Sequence, residues 1–305
     1  MTTYFPFSRR SHMRGTFSAG LAVLTAFSLV PAIAIFVISF TDIRGIPGIP
    51  VNWVGAQNYV QFFSPAHLGD NLNALANTLI FAIASTTIQI VAALGLAVLL
   101  NRKLHGRSAY RAIVFMPTVL GVTVIGLIWT LVFNPSGGPA TALLKWFHTN
   151  SAFFGDPKLA LGLVIFVQIW SVLGISMMIF LAGLQAIPTE LYEVADIDGA
   201  SGWQRFRDVT FPLLAPSITA NVLLGIVSSL QSYQLTYVLT GPQDPATQML
   251  SLEVYVQGFG GTPVGASSVS LTQGYAATIS VVQFVLVAAI SLAVLLYLRK
   301  REARL

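Results

Sequence analysis

The sequence predicts an all-α integral membrane fold of six transmembrane helices, and three observations predict it. Of the 305 residues, 55% are hydrophobic and only 9% charged, with a mean hydropathy of +0.75. A soluble domain carries roughly 25% charged residues, so a chain this apolar cannot cover itself with polar surface and needs lipid as part of its solvent. Long charge-free intervals recur along the chain, and the sixteen Lys and Arg fall in short clusters between them. That clustering excludes the nucleic-acid reading that a net charge of +5 would otherwise invite. Cysteine is absent, which excludes disulfides, thiol catalysis and Cys-ligated metal.

The spans follow in order. Charge-free intervals run over 15–41, 71–101, 112–144, 159–189, 209–243 and 254–298. Each holds an apolar core of roughly 20 residues, enough to cross a ~30 Å hydrocarbon layer at about 1.5 Å per residue. In the last interval Gly258-Phe-Gly-Gly-Thr-Pro263 breaks the first half, which places the sixth helix at about 273–298. The segment 45–69 also lacks charge, but Pro47, Pro50, Pro65 and several Asn and Gly make it an external loop with short interfacial pieces. A cleaved signal peptide is the alternative for the first interval; its apolar run continues past Ala32-Ile33-Ala34 and is too long for one.

Orientation follows from the cations. An even number of spans puts both ends and the second and fourth loops on one side. That side holds thirteen cations: Arg9, Arg10, Arg14, Arg102, Lys103, Arg107, Arg111, Arg205, Arg207, Arg299, Lys300, Arg301 and Arg304. The other holds three, Arg44, Lys145 and Lys158. Positive residues favour the cytoplasmic side, so 1–14 and 299–305 are expected there, flanking a permease domain over 15–298.

Five of the eleven acidic residues lie between Glu190 and Asp208, in a connector over 188–212. Glu190, Glu193 and Asp196 recur every three residues and share one side of a short helix, with Leu191, Val194 and Ala195 on the other. Gly199 suits a left-handed helix end. Ser201 with Gln204 fits a capping box that opens a second short helix carrying Trp203 and Phe206. A connector of this length, with its own caps and aromatics, reads as a docking surface rather than a simple link.

Here the sequence resembles a known family. Glu193-x-Ala195-x-x-Asp198-Gly199-Ala200-x-x-Trp203-x-x-Phe206, followed by Thr210-Phe211-Pro212-Leu213-Leu214, is similar to the EAA loop of ABC importer permeases, with Val194 in place of the first alanine. Trp53-Val54-Gly55-Ala56-Gln57-Asn58-Tyr59, Asn77-Thr78, Leu184-Gln185-Ala186-Ile187-Pro188, Tyr237-Val238-Leu239-Thr240-Gly241-Pro242 and Gly274-Tyr275-Ala276-Ala277 resemble the carbohydrate branch, which includes maltose and glycerol-3-phosphate permeases. The stretch after Thr240 is shorter and less Gly-rich than in that branch. The resemblance implies that Glu190, Glu193, Ala195, Asp196, Asp198, Gly199, Ala200, Trp203 and Phe206 form a coupling surface for a cytoplasmic ATPase. It also implies a second homologous permease subunit, two ATPase subunits holding ATP and Mg, an extracytoplasmic solute-binding protein, and a place in the bacterial or archaeal cell membrane.

The membrane interior carries no Asp, Glu, Lys, Arg or His in any hydrophobic core. Ion-coupled carriers generally use ionisable groups there, so this disfavours an ion-coupled secondary carrier, the main alternative. Uncharged polar residues crowd span five at Ser228, Ser229, Gln231, Ser232, Tyr233 and Gln234, too many for one packing face. With Gln168 in span four, Ser228, Ser229, Gln231, Ser232 and Tyr233 are candidates for a solute pathway, since neutral donors and an aromatic surface suit a carbohydrate. Ser85, Thr86, Thr87 and Gln89 in span two read instead as interhelical hydrogen bonds. No phosphate loop, metal-spaced His set or hydrolase triad is present, and His12, His67, His105 and His148 are scattered. A membrane-embedded enzyme is disfavoured accordingly, with no cofactor expected on this chain and ATP chemistry assigned to another.

Overall fold

The computed structural model describes residues 17–18, 20–46, 48–102, 104–260 and 272–302. The expected features at 1–14, Lys103, 261–271 and 303–305 lie outside the described residues. Among the described residues 77% are helical. Its principal elements are α1 (Gly20–Ile38), α2 (Gln57–Phe62), α3 (Pro65–Asn101), α4 (Arg107–Val119), α5 (Val122–Val132), α6 (Pro139–Trp146) and α7 (Ala160–Gln185). They continue as α8 (Thr189–Ile197), α9 (Gly202–Leu213), α10 (Ala215–Leu230), α11 (Gln234–Thr240), α12 (Leu250–Phe259) and α13 (Gln273–Glu302).

Among the described residues α1, α3, α7 and α13 are long and apolar enough to cross a membrane. The pairs α4–α5, bent by 102°, and α9–α10, bent by 65°, bring the number to six if each pair is one span. The chain is therefore a multi-pass membrane protein.

The second and third spans depart from the sequence expectation. Helix α3 begins at Pro65, not 71, because proline at the first helical position loses no intrahelical bond. The third span is not one helix over 112–144. Leu120 and Gly121 are extended (ψ 139° and 146°) after Pro117, and the chain leaves the helix at Val132, ahead of Pro135-Ser-Gly-Gly-Pro139. Helix α12 was not anticipated at all; Leu250, Leu252 and Val256 of it are buried.

The centre of the fold is α3 against α7. Ala93 and Ala97 present a small-residue face to Met177, Phe180, Leu181 and Leu184, and all six are buried. Small residues let helices approach where lipid supplies no hydrophobic drive between them. Gln89 donates to Ser176 Oγ across this seam, and Thr86 Oγ1 shares a 3.3 Å hydrogen bond with Ser229 of α10. Of the four span-two polar residues expected to bond between helices, Thr86 and Gln89 do so, whereas Ser85 donates to Phe81 O of its own helix and Thr87 is exposed. A second cluster around Phe81, Val164, Leu235, Met249 and Leu252 ties α3 and α7 to α11 and α12. By contrast, none of α1 is buried.

Candidate solute pathway and docking surface

Span five breaks where its polar residues lie. Helix α10 stops at Leu230, Tyr233 takes an extended φ of −141°, and α11 restarts at Gln234. The expectation that Ser228 to Gln234 cover every face of one continuous helix is corrected: the polar run is the break itself. Non-helical backbone at membrane depth is tolerated where it lines a cavity or is buried in protein.

A cavity of about 380 Å³ opens at this break. Gln231, Ser232, Tyr233 and Gln234 form one wall, with Ser228 beside them; Gln168 and Ser171 of α7 form another. The third wall is the α4–α5 bend, through Pro117, Thr118, Leu120 and Val122. Two broken helices thus face each other across one space. Tyr233 stacks on Tyr255 of α12 at 5.0 Å, which holds its ring at the cavity's edge. No Asp, Glu, Lys, Arg or His is among the lining residues.

Five of the six pathway candidates meet here: Gln168, Ser228, Gln231, Ser232 and Tyr233. Ser229 does not. It is 3% exposed and turned toward Thr86. Thr118 was missed, although Pro117-Thr118 inside a span was a readable sign of a bend. Also missed were the residues that close the break from outside: Gln283 Nε2 donates to Leu230 O at 2.8 Å, and Ser251 Oγ to Ser232 O at 2.6 Å.

The acidic connector has the expected local chemistry. Gly199 has φ +72°, and the Ala200 amide donates to Ala195 O at 2.9 Å, closing α8. Ser201 accepts from the Gln204 amide at 3.3 Å while Gln204 Oε1 accepts from the Ser201 amide at 2.8 Å, completing the capping box. The second helix is longer than expected. It passes from Gly202 through a π-helical stretch, Arg205–Thr210, to Leu213, and the wide turn accommodates Pro212, which has no N–H to donate. Arg205 and Asp196 pair at 2.5 Å across the two helices.

On the apolar side of α8 only Ala195 is buried; Leu191 and Val194 are exposed. So are Ile197 at 85% and Trp203 at 69%. Glu190, Glu193, Asp196, Asp198 and Gly199 are exposed with them, and Ala200 and Phe206 are half-buried. Acidic and apolar side chains therefore form one open face. Among the described residues no group of three or more His, Cys, Asp or Glu could hold a metal.

Comparison with known proteins agrees with this architecture. Residues 89–302 match the family model described as "Binding-protein-dependent transport system inner membrane component". The chain is 32% identical over 285 residues to the probable starch degradation products transport system permease protein AmyD of Thermoanaerobacterium thermosulfurigenes, covering 91% of this chain and 90% of that one. It is 31% identical to the trehalose/maltose transport system permease protein MalF of Thermococcus litoralis, covering 83% and 85%. It is 32% identical to the sn-glycerol-3-phosphate transport system permease protein UgpA of Agrobacterium fabrum, covering 83% of each. A chain of a bacterial ABC transporter involved in the import of alginate shares the fold, with a TM-score of 0.77 at 21% identity over 97% of this chain and 96% of that one. The chain belongs to the family of inner membrane components of binding-protein-dependent transport systems.

Proposed function

We propose that the chain is a permease subunit of an ATP-binding-cassette importer and forms half of the pathway for a carbohydrate, polyol or glycerophosphate solute. The observation that carries this reading is the cavity between two broken helices, lined by uncharged amides and hydroxyls with an aromatic at its edge. Such groups bind hydroxyl-rich solutes by hydrogen bonds and ring contact. The names of the relatives, starch degradation products, trehalose/maltose and glycerol-3-phosphate, fall in the same class.

The remaining machinery belongs to other chains: a second homologous permease, two ATPase subunits carrying ATP and Mg, and an extracytoplasmic solute-binding protein. Both termini, Gly106 and Gly199 face the cytoplasm of a bacterial or archaeal cell, and Gly55 faces outside. The open face of α8 and α9 docks the ATPase. ATP binding closes the ATPase dimer, draws the coupling loops together and opens the cavity outward. Gln168, Ser228, Gln231, Ser232 and Tyr233 contact solute, with Thr118 and Ser171; Ser229 is a packing residue.

The test is reconstitution with the co-purifying ATPase and solute-stimulated ATP hydrolysis. Ser232→Leu and Gln168→Leu should lower stimulation at least tenfold in an assembled complex. Normal stimulation in both, or transport by this chain alone, would refute the reading. A cysteine at position 199 should resist an impermeant reagent added to intact cells.

A further inference from the structure

We propose that Arg301, near the end of α13, is a positioning residue that stiffens the joint between α9 and α10. The two helices meet at 65°, and the joint is short of hydrogen bonds of its own. Pro212 has no N–H to offer Asp208, and Pro216, four residues on, has none to offer Pro212. Leu214 between them is fully buried in the α3–α7 core, so the joint has a fixed pivot. The arm before the pivot is one body. Tyr192 Oη and Thr210 Oγ1 share a 3.1 Å hydrogen bond, and Arg205 pairs with Asp196, which ties α8 to α9. Without a brace, a force on that body would flex the joint and leave α10 where it is.

The brace comes from α13. Arg301 Cζ lies 4.9 Å from the centre of the Phe211 ring, within reach of a cation–π contact. Arg301 and Leu298 face Phe211 on one arm and Ala215, Ile218 and Thr219 on the other, across a gap of about 10 Å³. Helix α13 thus meets both sides of the bend. A row of rings carries the contact outward. Phe211 lies 6.2 Å from Phe206, and Phe206 lies 5.7 Å from Trp203, which is 69% exposed on the open face. On the same α13, Gln283 donates to Leu230 O, where α10 breaks beside the cavity. The helix that supports the break therefore also supports the bend, and a push on Trp203 reaches α10 as a rigid-body displacement. This role in coupling rests on the reading of α8 and α9 as an ATPase-docking face; the stiffness of the joint does not.

The absence of cysteine lets labels be placed freely. Spin labels on cysteines at positions 207 and 224, both exposed, report the α9–α10 distance by double electron–electron resonance in the full chain. Wild type should give one narrow distribution. Arg301→Gln should broaden it roughly twofold or more, and Phe211→Leu should broaden it as much. The double variant should add nothing further, because the two side chains form one contact. Arg301→Lys should keep most of the narrowness, and Arg299→Gln, an equal charge loss two residues away, should change it little. In the complex with the co-purifying ATPase, a fluorophore on a cysteine at position 118, in the cavity wall, reports coupling. The non-hydrolysable analogue AMP-PNP with Mg should shift its emission. Arg301→Gln should reduce that shift roughly threefold, the scale of an exposed cation–π contact, with ATPase retention unchanged. An unbroadened distribution in Arg301→Gln, or a full nucleotide response across a broadened joint, would overturn the proposal. A wild-type complex that ignores the nucleotide would instead count against the importer reading, and the distance distributions would still decide the brace.

Discussion

Gln283 in the middle of α13 donates a 2.8 Å hydrogen bond to the backbone carbonyl of Leu230, the last residue of α10. In an unbroken helix that carbonyl would accept from the amide four residues on; the break at Gln231–Tyr233 removes the donor. Leu230 and Gln283 are 1% and 8% exposed, so water is not the replacement. One amide on span six therefore makes the break in span five tenable, and that break shapes the cavity.

Gln283→Leu should leave the carbonyl buried and unpaired, at a cost of about 1–3 kcal/mol. The thermal unfolding midpoint of the purified chain should fall accordingly. Ser280→Ala is the control, because its hydroxyl donates only within its own helix, to Ala276 O at 3.0 Å. Equal midpoints for Gln283→Leu and wild type would mean that the carbonyl finds another donor.

This contact also shows where sequence reading stops. The spans were legible because charge and apolarity are local properties, and the connector was legible because capping boxes and left-handed glycines are short-range devices. The break at Gln231 was misread as continuous helix. Its polar residues announced a cavity, but the groups that stabilise the break, Gln283 and Ser251, lie 53 and 19 residues away in sequence. Ser229 and Ser232 look alike in sequence, yet one packs on Thr86 and the other lines the cavity, and only the break decides which.

Gly274 should be intolerant of a side chain. Its amide donates to Ile43 O at 3.0 Å, a Cβ there would run into the Thr41 carbonyl, and Thr278 Oγ1 donates to Ser39 O at 3.1 Å. This joint is where α1, which buries nothing of its own, meets α13. Gly274→Val should force the two apart. A cysteine pair at positions 39 and 278, in a chain with no other cysteine, should cross-link several-fold less efficiently with Gly274→Val than without it. Undiminished cross-linking would count against the joint.

Glu253 on α12 predicts a pH dependence of stability. Burial pushes its carboxyl above the ordinary value of 4.5, and Asp70 pushes the same way, while amide donation from Gln248 and Gln257 and the nearby His67 oppose the rise. The folded state thus binds this proton more tightly than the unfolded chain does. The stabilising contribution is full below the unfolded pKa and declines as pH rises through the folded one. Glu253→Gln should therefore unfold at a higher temperature than wild type at neutral pH, with the gap closing as pH approaches 4.5. Unfolding midpoints between pH 4.5 and 8 would show it; a gap independent of pH would sink the idea.

The open face of α8 and α9 gives the prediction that most directly tests the proposed coupling. At Gly199 a Cβ would meet nothing within 4 Å, so Gly199→Asp fits the chain itself and strains only the left-handed backbone, by about 1 kcal/mol. Glu193 is exposed and Ile197 is 85% exposed, so neither Glu193→Lys nor Ile197→Asp disturbs the core of this chain. Membrane insertion and the thermal midpoint should stay near wild type in all three. A partner seated on this face would nevertheless meet a new charge, a reversed charge or a charge in place of an apolar contact. Ile197→Asp should be the most damaging, since a desolvated carboxylate has no partner at an apolar contact. Each variant should lower ATPase retention in a pull-down at least tenfold, or leave retention intact and abolish solute-stimulated hydrolysis in proteoliposomes. Retention and stimulation at wild-type levels in all three would reduce α8 and α9 to a connector, and the exposure of Ile197 and Trp203 would then need another occupant.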